Sequence, residues 1–178
     1  VWGGSSVVNE CGACSESSCF IRVTIGDIVN DGGNSKGVSS ADYDNDGDID
    51  LFIANLSGQN NFLYNNNGDG TFTKITSGDI VNDGSGSRVA SWGDYDNDGN
   101  LDIFVTNSGQ EKNFLYNNNT DGTFTKITSG DIVNDEVGSD GASWGDYDND
   151  GDLDLFVTVE NGNYNNHVAG DYVNESDY

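Results

Sequence analysis

The chain has 178 residues, and its 31 acidic residues against 6 basic ones give a formal net charge of −25 at pH 7. So few basic residues argue against nucleic acid as a partner, because the affinity of a protein for nucleic acid rests on neutralising phosphates. The same shortage argues against docking on an anionic membrane. Hydrophobic residues make up only 34%, but aromatic residues reach 11%, more than a disordered acidic chain normally carries. We therefore expect a folded protein whose acidic residues are concentrated at particular places.

Residues 1–19 are predicted to form an N-terminal arm that holds all three cysteines, Cys11, Cys14 and Cys19. Two of them form a Cys-x-x-Cys pair, but the second pair or His cluster of a zinc site is missing. We therefore expect one short-range disulfide, with the choice of the two paired cysteines left open, in an oxidising, extracellular setting. The chain begins at Val1 and contains no Met, which indicates a mature product whose secretion signal has been removed. No apolar run approaches the roughly 18 residues of a membrane span, so membrane insertion is not expected.

A period of 52 residues organises the chain beyond this arm: the run Gly-Asp-Ile-Val-Asn-Asp occupies residues 26–31, 78–83 and 130–135. Periods of this order are typical of solenoids, propellers and arrays. We therefore assign an isolated strand to residues 20–25, repeat 1 to 26–77, repeat 2 to 78–129 and repeat 3 to 130–178, which diverges after about residue 160.

Each repeat carries the pattern of four short strands. Leu101, Ile103 and Val105 alternate with neighbours that are also partly apolar, which predicts a strand with both faces packed between neighbouring sheets. A strand at 88–92 precedes the acidic loop, and two further strands flank Asn-Gly and Asp-Gly turn signals of a hairpin. Long 3.6-residue periodicity is absent, so the predicted fold is all-β, with three four-stranded antiparallel repeats and little helix.

An acidic loop of the form Asp-x-Asp-x-Asp-Gly-x-x-Asp follows the first strand of every repeat, and the three loops contain 14 of the 31 acidic residues. Carboxylates this close together repel one another, so the fold needs a cation, and hard oxygen ligands at alternating positions suit Ca²⁺. The seventh position varies between Asp and Asn, which fits a ligand supplied by the backbone carbonyl. About three Ca²⁺ ions are predicted, one per repeat. The candidate ligands are Asp42, Asp44, Asp46, Asp48 and Asp50 in repeat 1, Asp94, Asp96, Asp98, Asn100 and Asp102 in repeat 2, and Asp146, Asp148, Asp150, Asp152 and Asp154 in repeat 3.

The EF-hand is the alternative for such a loop. It requires a bidentate Glu at the twelfth position, where this chain has Ile53, Val105 and Val157. Strands rather than helices are also predicted to flank the loop, so the EF-hand is disfavoured.

The second repeat carries the clearest family signature. Its runs Ser-Trp-Gly-Asp-Tyr-Asp-Asn-Asp-Gly (91–99), Leu-Asp-Ile-Phe (101–104) and Asn-Phe-Leu-Tyr-Asn (113–117) resemble FG-GAP/VCBS repeats, and the resemblance covers residues 20–160 or so. It implies blades of the integrin-α type of β-propeller, with Ca²⁺ in the loop that joins the first two strands of a blade. Such propellers close with about seven blades, so three repeats imply an assembly that is open or completed by a neighbouring subunit.

The two ends of the chain are out of phase with the repeat. Residues 20–24 lie 52 residues before the strand at 72–76 and match the fourth strand of a blade, whereas repeat 3 offers a candidate third strand at 162–168 and no recognisable fourth. We hypothesise that the fourth strand of one subunit completes the third blade of the next by β-augmentation, which gives a head-to-tail homopolymer or a ring. The alternatives are a carbohydrate-binding propeller module, with glycans as partners, and a fragment of a larger propeller protein.

The sequence contains no recognisable catalytic set. His167 is predicted to be a surface residue, and Glu111, Glu136 and Glu160 occur once each without a partner. Trp92 and Trp144 could stack on sugar rings, but each precedes an acidic loop and is predicted to pack between blades. The predicted function is therefore that of an extracellular, secreted or cell-surface, calcium-binding protein with a structural or adhesive role, not an enzyme.

Three Asn-x-Ser/Thr sequences make the chain a candidate glycoprotein, at Asn55, Asn118 and Asn174. Several matches are expected by chance in a chain this rich in Asn, Ser and Thr. Asn118 is the preferred site, because it is predicted to lie in a hairpin turn.

Overall fold

Three antiparallel sheets, which we call blades 1, 2 and 3, make up the computed structural model of the chain. The structure describes residues 23–159 and 170–172. Blade 1 contains, in spatial order, β1 (Ser35–Ala41), β2 (Asp50–Asn55), β3 (Phe62–Asn66) and β4 (Phe72–Ile75). Blade 2 contains β5 (Ser87–Gly93), β6 (Asp102–Asn107), β7 (Phe114–Asn118) and β8 (Phe124–Ile127). Blade 3 contains β9 (Ser139–Gly145), β10 (Asp154–Val159) and β11 (Gly170–Tyr172).

Helix is confined to the connections that precede the blades. The repeated Gly-Asp-Ile-Val-Asn-Asp run forms α1 (Asp27–Asn30) before blade 1 and the 3-10 turns Asp79–Val81 and Asp131–Val133 before blades 2 and 3. Since the longest helix within residues 23–159 and 170–172 has four residues, no described helix can cross a membrane. The predicted all-β fold with little helix is confirmed.

The strand register places the acidic loops at equivalent points of the blades. Each loop joins the first strand to the second, and the pair that closes it is Ala41 opposite Asp50 in blade 1 and Gly93 opposite Asp102 in blade 2. The third and fourth strands form a hairpin, with Leu63 opposite Ile75 in blade 1. Both features agree with the sequence prediction.

The third strand of blade 3 lies later in the chain than predicted. The prediction was residues 162–168, which are outside the described residues, but the strand paired with β10 is Gly170–Tyr172. Leu155 is opposite Tyr172, as Ile103 is opposite Tyr116 in blade 2, so the register is kept while the connection is longer than in the earlier blades. Repeat spacing therefore misplaced this strand.

Part of the predicted isolated strand at 20–25 can be compared with the structure. Residues 23–25 form no strand, and residues 20–22 lie outside the described residues. The three cysteines, Glu160, His167 and Asn174 also lie outside the described part of the chain.

The hydrophobic core lies between the blades rather than within one of them. Phe52 of blade 1 packs with Ile103 and Val105 of blade 2, and Phe104 on the opposite face of β6 packs with Leu155 of blade 3. Every residue of β6 is buried, as predicted for a sheet between two neighbours. Burying an apolar side chain of this size contributes about 1.5–3 kcal/mol, so the junctions between blades dominate the stability of the fold.

A tyrosine–tryptophan stack marks each junction. Tyr43 stacks on Trp92 with ring centroids 6.0 Å apart, and Tyr95 stacks on Trp144 at 6.4 Å. The indole Nε1 of Trp144 donates to the Ser91 carbonyl of the preceding blade at 3.2 Å. The two tryptophans therefore pack between blades, as predicted.

The connections are anchored on the outer hairpins of blades 1 and 2. Asp31 accepts hydrogen bonds from the Tyr64 hydroxyl at 2.6 Å and from the Lys74 ammonium at 2.8 Å. Both bonds lower the pKa of Asp31 below its ordinary value, and the bond from Lys74 has the larger effect. Asp83 makes the same two kinds of contact in blade 2.

A chain of buried hydrogen bonds links the three blades. Asn61 Nδ2 donates to Ser87 Oγ at 3.1 Å, and Ser87 Oγ donates to Asn107 Oδ1 at 2.8 Å. The Asn107 backbone N–H donates to Asn113 Oδ1, and Asn113 Nδ2 donates to Ser139 Oγ, both at 2.9 Å. Polar groups buried this deeply are stable only when they are satisfied, so this chain fixes the spacing of the blades.

Replacing the central member of this chain should destabilise the protein. Asn107→Ala removes the acceptor of the buried Ser87 hydroxyl proton and the amide that donates to the Lys112 carbonyl, and we expect a loss of about 2 kcal/mol in the free energy of unfolding. Urea unfolding followed by tryptophan fluorescence measures it. The control is Asn119→Ala, which removes an exposed asparagine and should change the midpoint little; equal losses in the two variants would contradict the prediction.

Candidate metal centre

Three carboxylates converge in each acidic loop, at its first, third and ninth positions. Within each group, one oxygen from every carboxylate lies within 4.8 Å of the others. The groups are Asp42, Asp44 and Asp50 in blade 1, Asp94, Asp96 and Asp102 in blade 2, and Asp146, Asp148 and Asp154 in blade 3. Ionised carboxylates at this separation repel one another strongly.

The ninth-position aspartate connects the loop to two strands. Asp50 is fully buried at the start of β2. Its Oδ2 accepts the backbone N–H of Tyr43 at 3.1 Å, and its Oδ1 accepts that of Asn66, at the end of β3, at 2.8 Å. Asp102 accepts the equivalent pair of bonds, also at 3.1 and 2.8 Å.

The first-position aspartate has an oxygen that the protein does not satisfy. Asp42 Oδ2 accepts the Gly47 backbone N–H at 3.0 Å, made possible by a φ of 94° at that glycine. Asp42 Oδ1 is buried and has no hydrogen-bond partner among the described residues. A buried, unpartnered carboxylate oxygen beside two further carboxylates is a donor set for a cation, and an all-oxygen set fits Ca²⁺ rather than Zn²⁺.

The fifth and seventh positions lie outside these groups. Asp46 Oδ1 accepts the Asp48 backbone N–H at 2.9 Å, and Asp98 and Asp150 do the same in their loops. Asn100 and Asp152, at the seventh position, accept hydrogen bonds from asparagines of the preceding loop, which agrees with a ligand role for the backbone carbonyl there. The structure thus brings together three of the five predicted ligands in each loop, and ligation by any of the five stays a prediction.

Apart from Asn100, the asparagines in and around the loops were not among the predicted site residues. Asn65 Nδ2 donates to Asp44 Oδ2, and Asn117 Nδ2 donates to Asp96 Oδ2. The fourth loop position holds Asn in all three blades, with φ between 56° and 64°, a left-handed conformation that Asn tolerates better than most residues. The recurrence of this fourth-position asparagine every 52 residues was the sequence signal that could have identified it as part of the site.

Comparison with known proteins agrees with the loop geometry. The family model described as the FG-GAP-like repeat matches residues 42–105 and residues 94–157. The chain belongs to the FG-GAP-like repeat family. Each match begins at the first aspartate of one acidic loop and runs through the second strand of the next blade, so the resemblance inferred from the second repeat is confirmed.

One curated relative is cartilage acidic protein 1 of Xenopus tropicalis, which is 30% identical over 129 residues. The aligned region covers 68% of this chain and 19% of the relative. The chain therefore spans about a fifth of the length of that protein.

Burial shifts the proton affinity of the ninth-position carboxyls of these FG-GAP-like loops. Desolvation, with a smaller contribution from neighbouring carboxylates, raises the pKa of Asp50 to about 6 and that of Asp102 to about 7. Backbone hydrogen bonds from Asn66 and Asn118 oppose the rise. Without a cation these carboxyls take up protons near neutral pH, whereas a bound cation holds them ionised.

The metal-free protein should therefore lose stability as the pH rises from 4 to 7. The folded pKa of Asp102 exceeds its ordinary value of 3.8, so the folded state binds more protons than the unfolded state across this window, and stability falls by roughly 2–4 kcal/mol as the carboxyl ionises. Chemical unfolding in EDTA at several pH values measures the slope. Asp102→Asn should flatten it, and parallel curves for the variant and the wild type would contradict the assignment.

The two described acceptor asparagines are unsuitable for glycosylation. Asn118, the preferred candidate, is 2% exposed, and its Nδ2 donates to the Tyr43 carbonyl at 2.7 Å and to the Leu101 carbonyl at 3.2 Å. It ends β7 rather than lying in a turn, so the prediction was wrong. Asn55 is also fully buried, with its Nδ2 bonded to the Asn60 carbonyl at 2.8 Å.

Glu111 has a local structural role. Its Oε2 accepts hydrogen bonds from the Ser85 hydroxyl and the Gly86 backbone N–H, both at 2.5 Å. Gln59 occupies the same place in blade 1, where its Oε1 accepts the Asn34 backbone N–H at 2.7 Å. The carboxylate of Glu111 therefore holds the same connection in blade 2 that the amide of Gln59 holds in blade 1. The other described candidate, Glu136, is exposed.

Proposed function

We propose that this chain is an extracellular, calcium-binding repeat protein with a structural or adhesive role. The observation that carries the proposal is the recurrence of one three-carboxylate group at the same point of three blades. The buried, unpartnered oxygen of Asp42 supports it, as does membership of a family whose repeats commonly bind calcium. An extracellular setting is supported by that family and by the similarity to a relative named for cartilage.

The expected role of the ion is to stabilise the fold. In blade 1, Asp42 at the end of β1, Asp44 in the loop and Asp50 at the start of β2 would hold it, so that the ion joins two strands at one point. Three Ca²⁺ ions would add six charges and change the formal net charge from −25 to −19. The ion supplies charge neutralisation and oxygen coordination, and no reaction is proposed.

We further propose that copies of the chain assemble head to tail into a filament or ring. Among the described residues, blade 3 has three strands where blades 1 and 2 have four, and none of the described strands pairs with the outer edge of β11. Strand complementation by residues 20–25 of a neighbour would fill that place, and a heterologous contact of this kind propagates. A larger protein that contains this chain as one part is the alternative.

Calcium should raise the melting temperature of the protein. Free Ca²⁺ at 100 times Kd stabilises by about 2.7 kcal/mol per site, which is roughly 5–10 °C per site at this chain length. Differential scanning calorimetry in Ca²⁺ and in EDTA measures the shift. An identical melting temperature in both solutions would contradict the calcium proposal.

Two aspartate variants separate site binding from general screening of charge. Asp102→Asn removes a carboxylate from the blade 2 group and should reduce the calcium-dependent shift by about a third, as expected when one of three sites is lost. Asp131→Asn removes an exposed carboxylate outside the loops and should leave the shift unchanged. Mg²⁺, which demands tighter octahedral geometry, should produce a smaller shift than Ca²⁺.

Assembly should depend on calcium as well. Negative-stain electron microscopy of the full chain should show filaments or rings in Ca²⁺ that dissociate in EDTA, because the ions reduce the repulsion between acidic copies. Monodisperse single chains in both solutions would contradict the assembly proposal. A glycan array on the same sample tests the carbohydrate-binding alternative, which selective binding by single chains would support.

A further inference from the structure

The outer face of blade 3 carries residues whose counterparts in blades 1 and 2 contact the next blade. We call Gly141, Gly145, Tyr147 and Phe156 the third-blade face. Tyr147 is 63% exposed, whereas Tyr43 at the same loop position is 2% exposed beneath Trp92. Phe156 is half-buried, although its counterparts Phe52 and Phe104 are fully buried.

The outer face of blade 1 carries the complementary set. We call Val38, Ile49, Leu51 and Ile53 the first-blade face. Val38 is 68% exposed and Ile49 is 54% exposed, whereas Ala90, the counterpart of Val38 in blade 2, is 7% exposed. Leu51 and Ile53 are half-buried, and their counterparts in β6 are fully buried against blade 1.

We propose that the first-blade face of one copy docks on the third-blade face of another. The contact rests on the head-to-tail assembly proposed above and identifies the surfaces that make it. The two faces are the two halves of a junction that the chain already forms twice, between blades 1 and 2 and between blades 2 and 3. A second copy is therefore the occupant that continues the internal packing.

The charges along the inner strands favour this occupant. Arg88 of β5 forms an ion pair with Asp140 of β9 at 2.6 Å across the junction of blades 2 and 3. Lys36 holds the equivalent position of β1. At the junction between copies, Lys36 would lie opposite Asp140 and bring a second cation beside the carboxylate that already pairs with Arg88.

The acidic loops would also continue their hydrogen bonds from one copy to the next. Asn45 Nδ2 donates to Asn100 Oδ1 at 3.5 Å, and Asn97 Nδ2 donates to Asp152 Oδ1, in each case from one loop to the following one. Asn149 has the same left-handed backbone, with φ 64°. It would donate to Asp48 of the docked copy, which holds the seventh position of the first loop.

Glycine on the third-blade face leaves room for close approach. A Cβ on Gly93 would lie 2.7 Å from the Trp144 ring, and a Cβ on Gly37 would lie 2.3 Å from the Arg88 carbonyl, so side chains there would separate the blades. The corresponding residues of blade 3 are Gly145, with no atom within 4 Å of such a Cβ, and Gly141. Both glycines leave room for an approaching blade, although Ala41 and Val89 hold these two positions in blades 1 and 2.

The largest difference between the internal junctions and the junction between copies is at position 40. Blade 1 has Ser40 where blades 2 and 3 have Trp92 and Trp144. A docked copy leaves the space beside Gly145 and Tyr147 partly empty, although Val38 adds apolar volume nearby. The junction between copies is therefore weaker than the internal junctions, and a tryptophan at position 40 should strengthen it.

The first experiment is a gain of assembly in the full chain. Ser40→Trp should lower the concentration for half-maximal assembly in Ca²⁺ by about tenfold, because it adds a stacked aromatic pair and buried apolar area. Sedimentation velocity measures it. Ser77→Trp, at an exposed connection away from both faces, is the matched control and should leave the concentration unchanged. An equal response of the two variants would overturn the proposed junction.

The second experiment tests the direction of the contact. Val38→Asp blocks the first-blade face and Tyr147→Asp blocks the third-blade face, and both side chains are exposed enough for the fold to tolerate the change. Each variant alone should remain monomeric, whereas an equimolar mixture should form a dimer and nothing larger. Assembly of either variant alone at wild-type concentration, or a mixture that stays monomeric while the wild type assembles, would overturn the proposal.

The calcium-dependent melting shift of the same variants separates the possible failures. If filaments form equally well with Ser40→Trp, Val38→Asp and Tyr147→Asp, the proposed docking faces are refuted, and head-to-tail assembly must use another contact. Absence of assembly in the wild type and in Ser40→Trp, with the melting shift intact, would refute both the assembly and the docking faces but leave the calcium site. Loss of the melting shift in the wild type would refute the calcium proposal itself.

Discussion

The buried aspartate at the ninth loop position is the contact on which each blade depends. Asp50 and Asp102 each accept one backbone N–H from the loop that precedes their strand and one from the end of the third strand. A single carboxylate therefore fixes the loop, the second strand and the third strand relative to one another. Because it is buried beside two further carboxylates, this contact is favourable in its ionised form only when a cation compensates the charge. The same group thus links the architecture of the blade to the ionic composition of the solution.

Stability is distributed over the junctions between blades, since each sheet is too small to bury its own apolar faces. Three kinds of contact recur at each junction: a tyrosine–tryptophan stack, a hydrogen bond between neighbouring acidic loops, and the buried chain through Asn61, Ser87, Asn107, Asn113 and Ser139. The apolar contacts supply most of the free energy, while the polar ones fix the spacing and orientation. A blade with one uncovered face therefore exposes a surface already shaped for a specific neighbour.

The period and the loop motif were sufficient to predict the sheets, the hairpins, the packing of both tryptophans and the position of the acidic groups. They were insufficient wherever a residue departs from the repeat or depends on long-range contacts. The third strand of blade 3 could not be placed, because the connection before Gly170 is longer than its counterparts while the register at Leu155 is kept. Asn118 matched an acceptor pattern, but that pattern carries no information on its bond to the Tyr43 carbonyl, 75 residues earlier in the chain. The inward turn of the first, third and ninth loop aspartates likewise depends on backbone geometry that spacing alone does not specify.

The arrangement of the loops would couple the proposed calcium binding to the stacking of blades. The bonds between Asn45 and Asn100, and between Asn97 and Asp152, show that successive loops touch, so the carboxylate groups stand side by side along one edge of the molecule. Within one group the carboxylate oxygens lie within 4.8 Å of one another, which is shorter than the screening length of about 8 Å at physiological ionic strength, so monovalent salt cannot remove their repulsion. A divalent ion in each loop would neutralise charge where it is densest, which would favour contact between blades of one chain and, for the same reason, between blades of the proposed assembly. Divalent ions are therefore expected to act on folding and on assembly through one set of sites.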